Sequence, residues 1–283
     1  MEPSDDSAFG STPKPWQILW DSFLSPRQRE PLIEVIHTDT TTLDTLRRVK
    51  VFAASLRTVP IVIRDSPGFL LNRLLVPYLN ETLELLQDGG DIPSLDRAAA
   101  DFGMPNGPLA SFDEFGIEVG RSLYQAFPER IVPSELLIAI YKSGRLGRKS
   151  GSGFYCTQQH AAAGRVDLHV LDMIRERQRT DNRPSEKEIR RRLFLLMLLE
   201  ATRVLQEAPV ENSFVVDSAL RNGLGMLRSD CGVFAWADKI GARTLIDWLQ
   251  PLQPLGKRFE PTQRLLVAAR KDATLCESSK AVA

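Results

Sequence analysis

Residues 65–86, DSPGFLLNRLLVPYLNETLELL, decide the fold of this chain. Eleven of these 22 residues are Leu, Val, Phe or Tyr, and apolar positions on nearly every side of a helix are typical of a buried helix. Ser66 is a suitable N-cap, and Pro67 fits the first helical position. We therefore predict one long buried helix that ends at Gln87, before two glycines.

An amide, Asn72, lies among the apolar residues of the first turns of this helix. An amide in the first turns of a buried helix needs hydrogen-bond partners, since burial removes it from water. Pro77 lies further along the same helix and is expected to bend it. Asn72 is therefore a candidate binding residue, and hydrogen bonding to nearby backbone is the alternative explanation.

The long helix belongs to an internal repeat. LNETLELLQ at residues 79–87 matches LLEATRVLQ at 198–206, and DEFG at 113–116 matches DKIG at 238–241. Two copies of a helical pattern predict a duplicated domain rather than a solenoid. We place the copies at residues 66–156 and 185–275. We also expect them to pack about a pseudo-two-fold axis, as two identical subunits would.

A strand–helix–strand pattern precedes the first copy. Residues 31–36, PLIEVI, and 59–63, VPIVI, are short, apolar and β-branched, which predicts two buried strands. Residues 42–57 between them carry apolar side chains at helical spacing. Residues 31–65 therefore form a β-α-β unit of the length that a right-handed parallel crossover requires.

Three further segments connect or flank these units. Residues 1–30 are predicted to be a disordered or degenerate N-terminal tail, because the first fifteen are polar and acidic. Residues 157–184 are predicted to be a linker, apart from an amphipathic piece around 166–174. Residues 276–283 are assigned to a C-terminal tail.

The composition excludes several classes of function. Equal numbers of acidic and basic residues, 36 of each, argue against nucleic acid or an anionic membrane as a general partner. The longest wholly apolar run, Leu193–Leu199, is too short to span a bilayer. Cys156, Cys231 and Cys276 have neither metal-site nor disulfide spacing, so we expect no metal and a reducing, cytoplasmic location.

Four stretches together resemble the 3-hydroxyacyl-CoA dehydrogenase family: PLIEVI, VPIVIRDSPGFLLNRLL, FGMPNGP and GRLGRKSGSGFY. The duplicated helical unit is similar to the C-terminal part of the multifunctional fatty-acid β-oxidation α subunit, and the resemblance covers about residues 31–275. It implies a mainly α fold. Two tandem copies of the 6-phosphogluconate-dehydrogenase-C-terminal-like helical domain would follow a residual β-α-β of a Rossmann domain.

The resemblance also implies site residues. In that family a Rossmann domain binds NAD, a His acts as general base on the 3-hydroxyl, a Glu orients that His, and an Asn lies near the reacting oxygen. Glu34 corresponds to the family Glu and Asn72 to the family Asn, whereas the second copy carries Arg191 at the position of Asn72. The implied ligand is an acyl-CoA.

Two departures from the family pattern limit this implication. Ser22 stands where the family His is expected, and a hydroxyl does not accept a proton near neutral pH. His37 lies three residues beyond Glu34, so a strand directs it to the opposite face. The chain has no GxGxxG turn after a strand, so we expect no NAD site within it. Glu34 and Asn72 are then vestigial, or they require a partner.

Three interpretations remain open. The chain is an enzyme component completed by a separate NAD-binding Rossmann chain, or a non-catalytic relative that binds acyl-CoA or a β-oxidation partner, or a truncated gene product. Under the first, residues 31–65 would dock onto the partner's sheet. Ile36→Asp is then expected to weaken that complex without unfolding the helical domains.

Overall fold

A computed structural model describes residues 16–20, 32–125, 131–156, 164–207, 209–226 and 232–276. Residues 16–20, Leu123 and Gln125 are described by their backbone alone. The chain starts with a small sheet and one helix, in the order β1 Trp16–Trp20, β2 Leu32–His37, α1 Leu43–Ser55 and β3 Val59–Arg64.

Two groups of helices follow. The first group consists of α2 Leu71–Gln87, α3 Ile92–Phe102, α4 Pro108–Phe115, α5 Ile117–Gln125 and α6 Glu135–Lys142. A connecting helix, α7 Leu168–Glu176, leads to the second group, which consists of α8 Glu186–Glu207, α9 Ser213–Asn222, α10 Val233–Ile240, α11 Ala242–Leu249 and α12 Gln263–Lys271. The predicted mainly α fold with a preceding β-α-β unit is confirmed. No described helix is long and apolar enough to cross a membrane.

The sheet has the strand order β1-β2-β3. β2 and β3 are parallel, with Glu34 opposite Ile61, and α1 is the crossover between them. β1 pairs antiparallel with β2, with Trp16 opposite His37. This strand corrects the assignment of residues 1–30 to a disordered or degenerate tail, although 1–15 and 21–30 lie outside the described residues. The strand was missed because it is short and directly follows a polar and acidic stretch, residues 1–15.

Both faces of this sheet are covered. Ile33 and Val35 pack under α1 against Ala53. The alternate residues Leu32 and Ile36 belong to the main core, together with the helices. The expectation for Ile36→Asp is therefore wrong, because Ile36 is 3% exposed and a charge there would disrupt the core shared with the helical domains.

The start of α2 differs from the prediction. The helix begins at Leu71, and neither Ser66 nor Pro67 takes part in it. Gly68 and Phe69 have φ angles of 75° and 52°, so the chain turns sharply before the helix. A non-glycine residue in this left-handed region is strained and needs support from surrounding structure. The predicted end at Gln87 is confirmed.

Equivalent hydrogen bonds cap the N-termini of equivalent short helices in the two copies of the repeat. The Asp96 carboxylate accepts from Leu109 N and Ala110 N at the start of α4, at 2.8 and 3.1 Å. The Asp217 carboxylate does the same for α10, accepting from Phe234 N and Ala235 N at 3.1 and 3.3 Å. Both helices follow a glycine N-cap that offers no side chain, so a distant aspartate supplies the cap.

The two copies pack against each other through α2 and α8. Arg73 on α2 donates to Glu200 Oε1 on α8, with Nε at 2.8 Å and Nη2 at 2.6 Å. Arg192 on α8 donates from Nε to Glu81 Oε1 on α2 at 2.6 Å. Each arginine lies near the start of its own helix and contacts a glutamate further along the other, so the helices run antiparallel.

The same symmetry holds for a second pair of contacts. Arg73 Nη1 lies 2.7 Å from Glu207 Oε2, and Arg192 Nη2 lies 2.8 Å from Asp88 Oδ2. Every partner of one arginine therefore has its repeat equivalent beside the other arginine, at the offset of 119 residues that relates LNETLELLQ to LLEATRVLQ. Such reciprocity is the mark of an isologous interface, and it confirms the expected pseudo-two-fold packing.

The segment between the two copies packs against the first copy. In its described part, α7 buries Val170 and Ile174 in the core. Beyond α7, Arg179 contacts Glu84 and Asp88 at 2.8 and 2.9 Å. Residues 164–184 therefore pack on the first copy, which refines the interpretation of 157–184 as a linker. Residues 277–283 of the predicted C-terminal tail lie outside the described residues.

Candidate functional site

Glu34 lies at the centre of β2 and faces the start of α2. It is fully buried, and its Oε1 accepts from Leu70 N at 2.9 Å and from Leu71 N at 3.1 Å. The first N–H groups of a helix have no partner within the helix, and a negative charge at this end is favourable. Glu34 therefore caps α2 from a distant strand, a role that the predicted cap, Ser66, does not take.

Asn72 occupies the second position of α2, next to Leu71. It is half-buried, and its side chain makes no hydrogen bond to any other described residue. The structure thus brings the two candidate residues of the sequence together, because Glu34 binds the residue adjacent to Asn72. The amide of Asn72 keeps both a donor and an acceptor available for a ligand.

The described histidines do not supply a base at this place. His37 ends β2 on the opposite face from Glu34, with Nδ1 3.4 Å from the carbonyl oxygen of the next residue, Thr38. His169 is exposed on the first turn of α7. Ser22 and His160 lie outside the described residues, so the position implied for the catalytic base stays a prediction.

The glycine-rich loop of residues 144–155 folds around a carboxylate of its own chain. Asp113 accepts from Phe154 N at 2.8 Å and from Tyr155 N at 2.7 Å. A Cβ atom on Gly153 would lie 1.9 Å from Asp113 Oδ1, and one on Gly147 would lie 2.5 Å from the Asp113 carbonyl oxygen. Glycine is needed here so that the loop can approach Asp113 closely.

The glycine-rich loop does not fit NAD, the cofactor of the family that the sequence resembles. Asp113 occupies the space beside Gly147 and Gly153, and the loop does not follow a strand of the sheet. Two connections lead from parallel strands into helices, residues 38–42 after β2 and 65–70 after β3, and their only glycine is Gly68. Neither connection carries the GxGxxG turn of a Rossmann dinucleotide site.

Asp113 has a consequence for stability. Burial raises the pKa of Asp113 from 3.8 to about 6, although the two backbone hydrogen bonds lower it. The folded state then holds a proton that the unfolded chain releases near pH 4. The stabilisation by protonated Asp113 is complete below pH 4 and is lost as the pH rises through 6.

We expect the wild type to lose on the order of 2 kcal/mol of stability relative to Asp113→Asn between about pH 4 and pH 7. Urea unfolding of both proteins across this range measures it. Asp172→Asn is the control, because Asp172 is 64% exposed. A wild type–variant difference that is independent of pH would show that Asp113 titrates normally.

The second repeat also reaches the candidate site, which the sequence interpretation missed. A Cβ atom on Gly223, at the end of α9, would lie 2.4 Å from Leu71 Cδ1. The carbonyl oxygen of Pro209 accepts from Arg64 N at 2.7 Å at the end of β3. The duplication of the helical unit could have indicated these contacts in advance, because two copies that pack like a dimer place one copy next to the site of the other.

Known structures share this architecture. The 3-hydroxybutyryl-CoA dehydrogenase of Escherichia coli aligns with a TM-score of 0.71 over 88% of this chain and 70% of that one, at 21% identity. The dehydrogenase part of multifunctional enzyme 1 from C. elegans aligns with a TM-score of 0.63 over 84% of this chain and 56% of that one, also at 21% identity. The fold is therefore that of the 3-hydroxyacyl-CoA dehydrogenase class.

Comparisons of sequence point to the same class of protein. Residues 68–157 match the family described as 3-hydroxyacyl-CoA dehydrogenase, C-terminal domain. The fatty acid oxidation complex α subunits of two Vibrio cholerae serotype O1 strains are each 33% identical over 261 residues. The match covers 90% of this chain and 36% of each relative, so the chain spans about a third of their length. Residues 68–157 are therefore similar to the C-terminal domain of the 3-hydroxyacyl-CoA dehydrogenases.

Proposed function

We propose that this chain acts in fatty-acid β-oxidation as an acyl-CoA-binding relative of the 3-hydroxyacyl-CoA dehydrogenases that does not perform the NAD-dependent oxidation alone. The proposal rests on the hydrogen bonding of the two candidate residues, Glu34 and Asn72. Oε1 of Glu34 accepts from the first N–H groups of α2, whereas the side chain of Asn72 beside it makes no hydrogen bond to another described residue. This supports Asn72 as a binding group and a structural role for Oε1 of Glu34.

The chemistry supports the same conclusion. Oxidation of a 3-hydroxyl needs a base for its proton and an acceptor for its hydride, and NAD supplies that acceptor when it is bound. Asn72 is suited to hydrogen-bond the 3-oxygen of an acyl-CoA from the start of a rigid helix. The proposed lack of NAD-dependent oxidation by the chain alone is supported by the glycine loop, in which two glycines lie against Asp113, and by residues 38–42 and 65–70 after the two parallel strands, which carry no GxGxxG turn.

We expect no NADH formation when the purified 283-residue chain is mixed with NAD and 3-hydroxybutyryl-CoA. Loss of general-base catalysis alone is worth about 10²–10⁴-fold, and loss of the hydride acceptor site removes the reaction. Absorbance at the NADH band measures this. The proposal fails if NADH forms and Asn72→Ala abolishes its formation, because the activity would then belong to this site.

A second candidate is completion by a separate NAD-binding chain. The observations that favour it are the unused amide of Asn72 and the position of β3 at an edge of the sheet. An edge strand offers main-chain groups to another strand. The test adds a Rossmann-domain chain encoded by a neighbouring gene to the assay. Activity of the mixture, lost with Asn72→Ala, distinguishes this candidate from a non-catalytic protein.

A further inference from the structure

The second copy of the repeat contacts the start of α2 on both sides of Asn72. On one side, the methyl groups of Leu71 lie against Gly223, at the end of α9. On the other side, Arg73 donates to Glu200 of α8 at 2.8 Å. Leu71 and Arg73 are each 2% exposed, so both contacts are made inside the molecule.

These two contacts restrict the rotation of the helix. Successive residues of an α-helix are rotated by about 100°, so Leu71 and Arg73 point to opposite flanks of Asn72. A helix that is held on two flanks cannot turn about its own axis without losing one of the contacts. Contacts with the second copy therefore limit the directions in which the half-buried amide of Asn72 can point.

The glycine at position 223 is explained by space and not by backbone conformation. Its φ and ψ angles are −89° and −49°, which other residues adopt readily. A Cβ atom there would lie 2.4 and 2.9 Å from the two Cδ atoms of Leu71, and 2.7 Å from the carbonyl oxygen of Ala219. Because carbon atoms in contact lie about 3.5–4.0 Å apart, a side chain at this position would displace Leu71 by about 1 Å.

The first copy has no glycine at the equivalent position. LGM at residues 224–226 aligns with FGM at 102–104, so Gly223 corresponds to Asp101. Asp101 is exposed, whereas Gly223 is buried. The glycine therefore occurs in the copy that contacts the start of α2, and the asparagine occurs on α2, because α8 carries Arg191 at that position.

We propose that the second copy positions the ligand-binding amide of the first, and that Gly223 is a positioning residue for Asn72. This inference rests on the proposed binding of acyl-CoA by Asn72. Gly223 acts through Leu71, since the missing side chain lets Leu71 lie where its N–H reaches Glu34 Oε1 at 3.1 Å. Asn72, the next residue of the helix, is then directed towards the ligand.

The effect of a side chain at position 223 has an upper limit. If Gly223 acts only through Asn72, displacing that amide cannot cost more affinity than deleting it. Asn72→Ala is expected to weaken acetoacetyl-CoA binding about tenfold, as for one lost hydrogen bond. Gly223→Ala should therefore weaken the binding by about threefold to tenfold, and in the Asn72→Ala background it should change the affinity by less than about twofold.

Calorimetric titration of the full chain with acetoacetyl-CoA measures these affinities, and a second background tests the role of Leu71. Leu71→Val shortens the side chain opposite Gly223 by one carbon atom and Gly223→Ala adds one, so the double variant conserves volume. The contact with Ala219 is the same in both backgrounds, so the comparison isolates Leu71. In the Leu71→Val background, Gly223→Ala should change the affinity by less than about twofold. A double variant that folds where Gly223→Ala alone does not would be the same rescue, and loss of folding in both would overturn the proposal.

Hydrogen exchange tests the positioning without any ligand. Because the N–H groups of Leu70 and Leu71 donate to Glu34, displacement of Leu71 in Gly223→Ala should speed exchange in a peptide of residues 66–74 about tenfold. Leu245→Val is the matched control, since Leu245 is buried in α11 of the second copy and this change also removes one buried methylene group. It should leave the exchange of residues 66–74 and the affinity for acetoacetyl-CoA unchanged.

The outcomes separate this proposal from the proposed function. Unchanged exchange of residues 66–74 in Gly223→Ala would overturn the positioning role, and so would an equal loss of affinity with and without Asn72. Faster exchange in Gly223→Ala, together with a wild type that does not bind acetoacetyl-CoA, would support the positioning of α2 by the second copy and contradict the proposed function.

Discussion

Arg192→Met is expected to destabilise the protein by about 3–5 kcal/mol, the cost of breaking a buried ion pair. Arg192 is 2% exposed and contacts both Glu81 and Asp88. Burial raises the pKa of Glu81, and the charges of Arg192 and Arg258 oppose this shift. Without Arg192, the buried carboxyl group of Glu81 loses one of its two counter-charges. Urea unfolding monitored by circular dichroism measures the loss.

The pseudo-two-fold packing adds a second expectation to this experiment. Arg73→Met should cost a similar amount, because its contacts to Glu200 and Glu207 are the repeat equivalents. Arg190→Met is the control, since the pair of Arg190 with Glu186 is exposed and worth about 0.5 kcal/mol or less. Equal small effects in all three variants would show that the reciprocal pairs do not hold the two copies together.

Glu34→Ala is expected to destabilise the protein by about 3 kcal/mol, because two hydrogen bonds to a buried acceptor oxygen are lost and two buried N–H groups are left without a partner. Leu70 and Leu71, which donate these bonds, are 1% and 2% exposed, so water does not readily replace the carboxylate. Glu34→Gln should fall between wild type and alanine, because it keeps an acceptor oxygen but replaces the second carboxyl oxygen with an amide donor.

Asn72→Ala is the matched control for Glu34→Ala. Asn72 lies one residue away on the same helix and makes no hydrogen bond to another described residue, so its loss should cost less than about 1 kcal/mol. Thermal and urea unfolding of the three variants provide the comparison. If Glu34→Ala is as stable as Asn72→Ala, Glu34 does not hold the start of α2, and its assignment as a partner of a catalytic His regains support.

Local pattern was sufficient for much of the fold. The apolar spacing from Leu71 to Gln87 and the similarity of DEFG to DKIG predict the paired long helices and the repeat, because both are properties of the chain itself. Ser185 directly precedes α8, and its Oγ accepts from Glu188 N at 3.3 Å. A serine followed three residues later by a glutamate is a local signature of a helix start, so such a cap can be recognised in the sequence.

What the sequence could not reveal depends on distant contacts. The cap of α2 comes from Glu34, 36 residues before Leu70, and no local pattern distinguishes it from Ser66. The strand β1 is five residues long and gains its stability from pairing with β2. The covered faces of the sheet likewise require the helices to be in place, which is why Ile36 was misjudged.

The candidate site was predicted in part. The sequence pattern alone singled out Asn72, and the resemblance added Glu34, which the structure places beside it. The hydrogen bonds from α2 to Glu34 were not foreseeable, because a carboxylate in an apolar strand suits a catalytic dyad and a helix cap equally. The approach of Gly223 to Leu71 depends on the packing of two copies, which no spacing within one copy reports.

Calorimetric titration of the purified chain with acetoacetyl-CoA and, separately, with NADH tests the central claim most directly. We predict that acetoacetyl-CoA binds at one site per chain and that Asn72→Ala weakens this binding about tenfold, as expected for one lost hydrogen bond. We also predict that NADH gives no heat of binding. Stoichiometric binding of NADH, or no binding of acetoacetyl-CoA, would contradict the account.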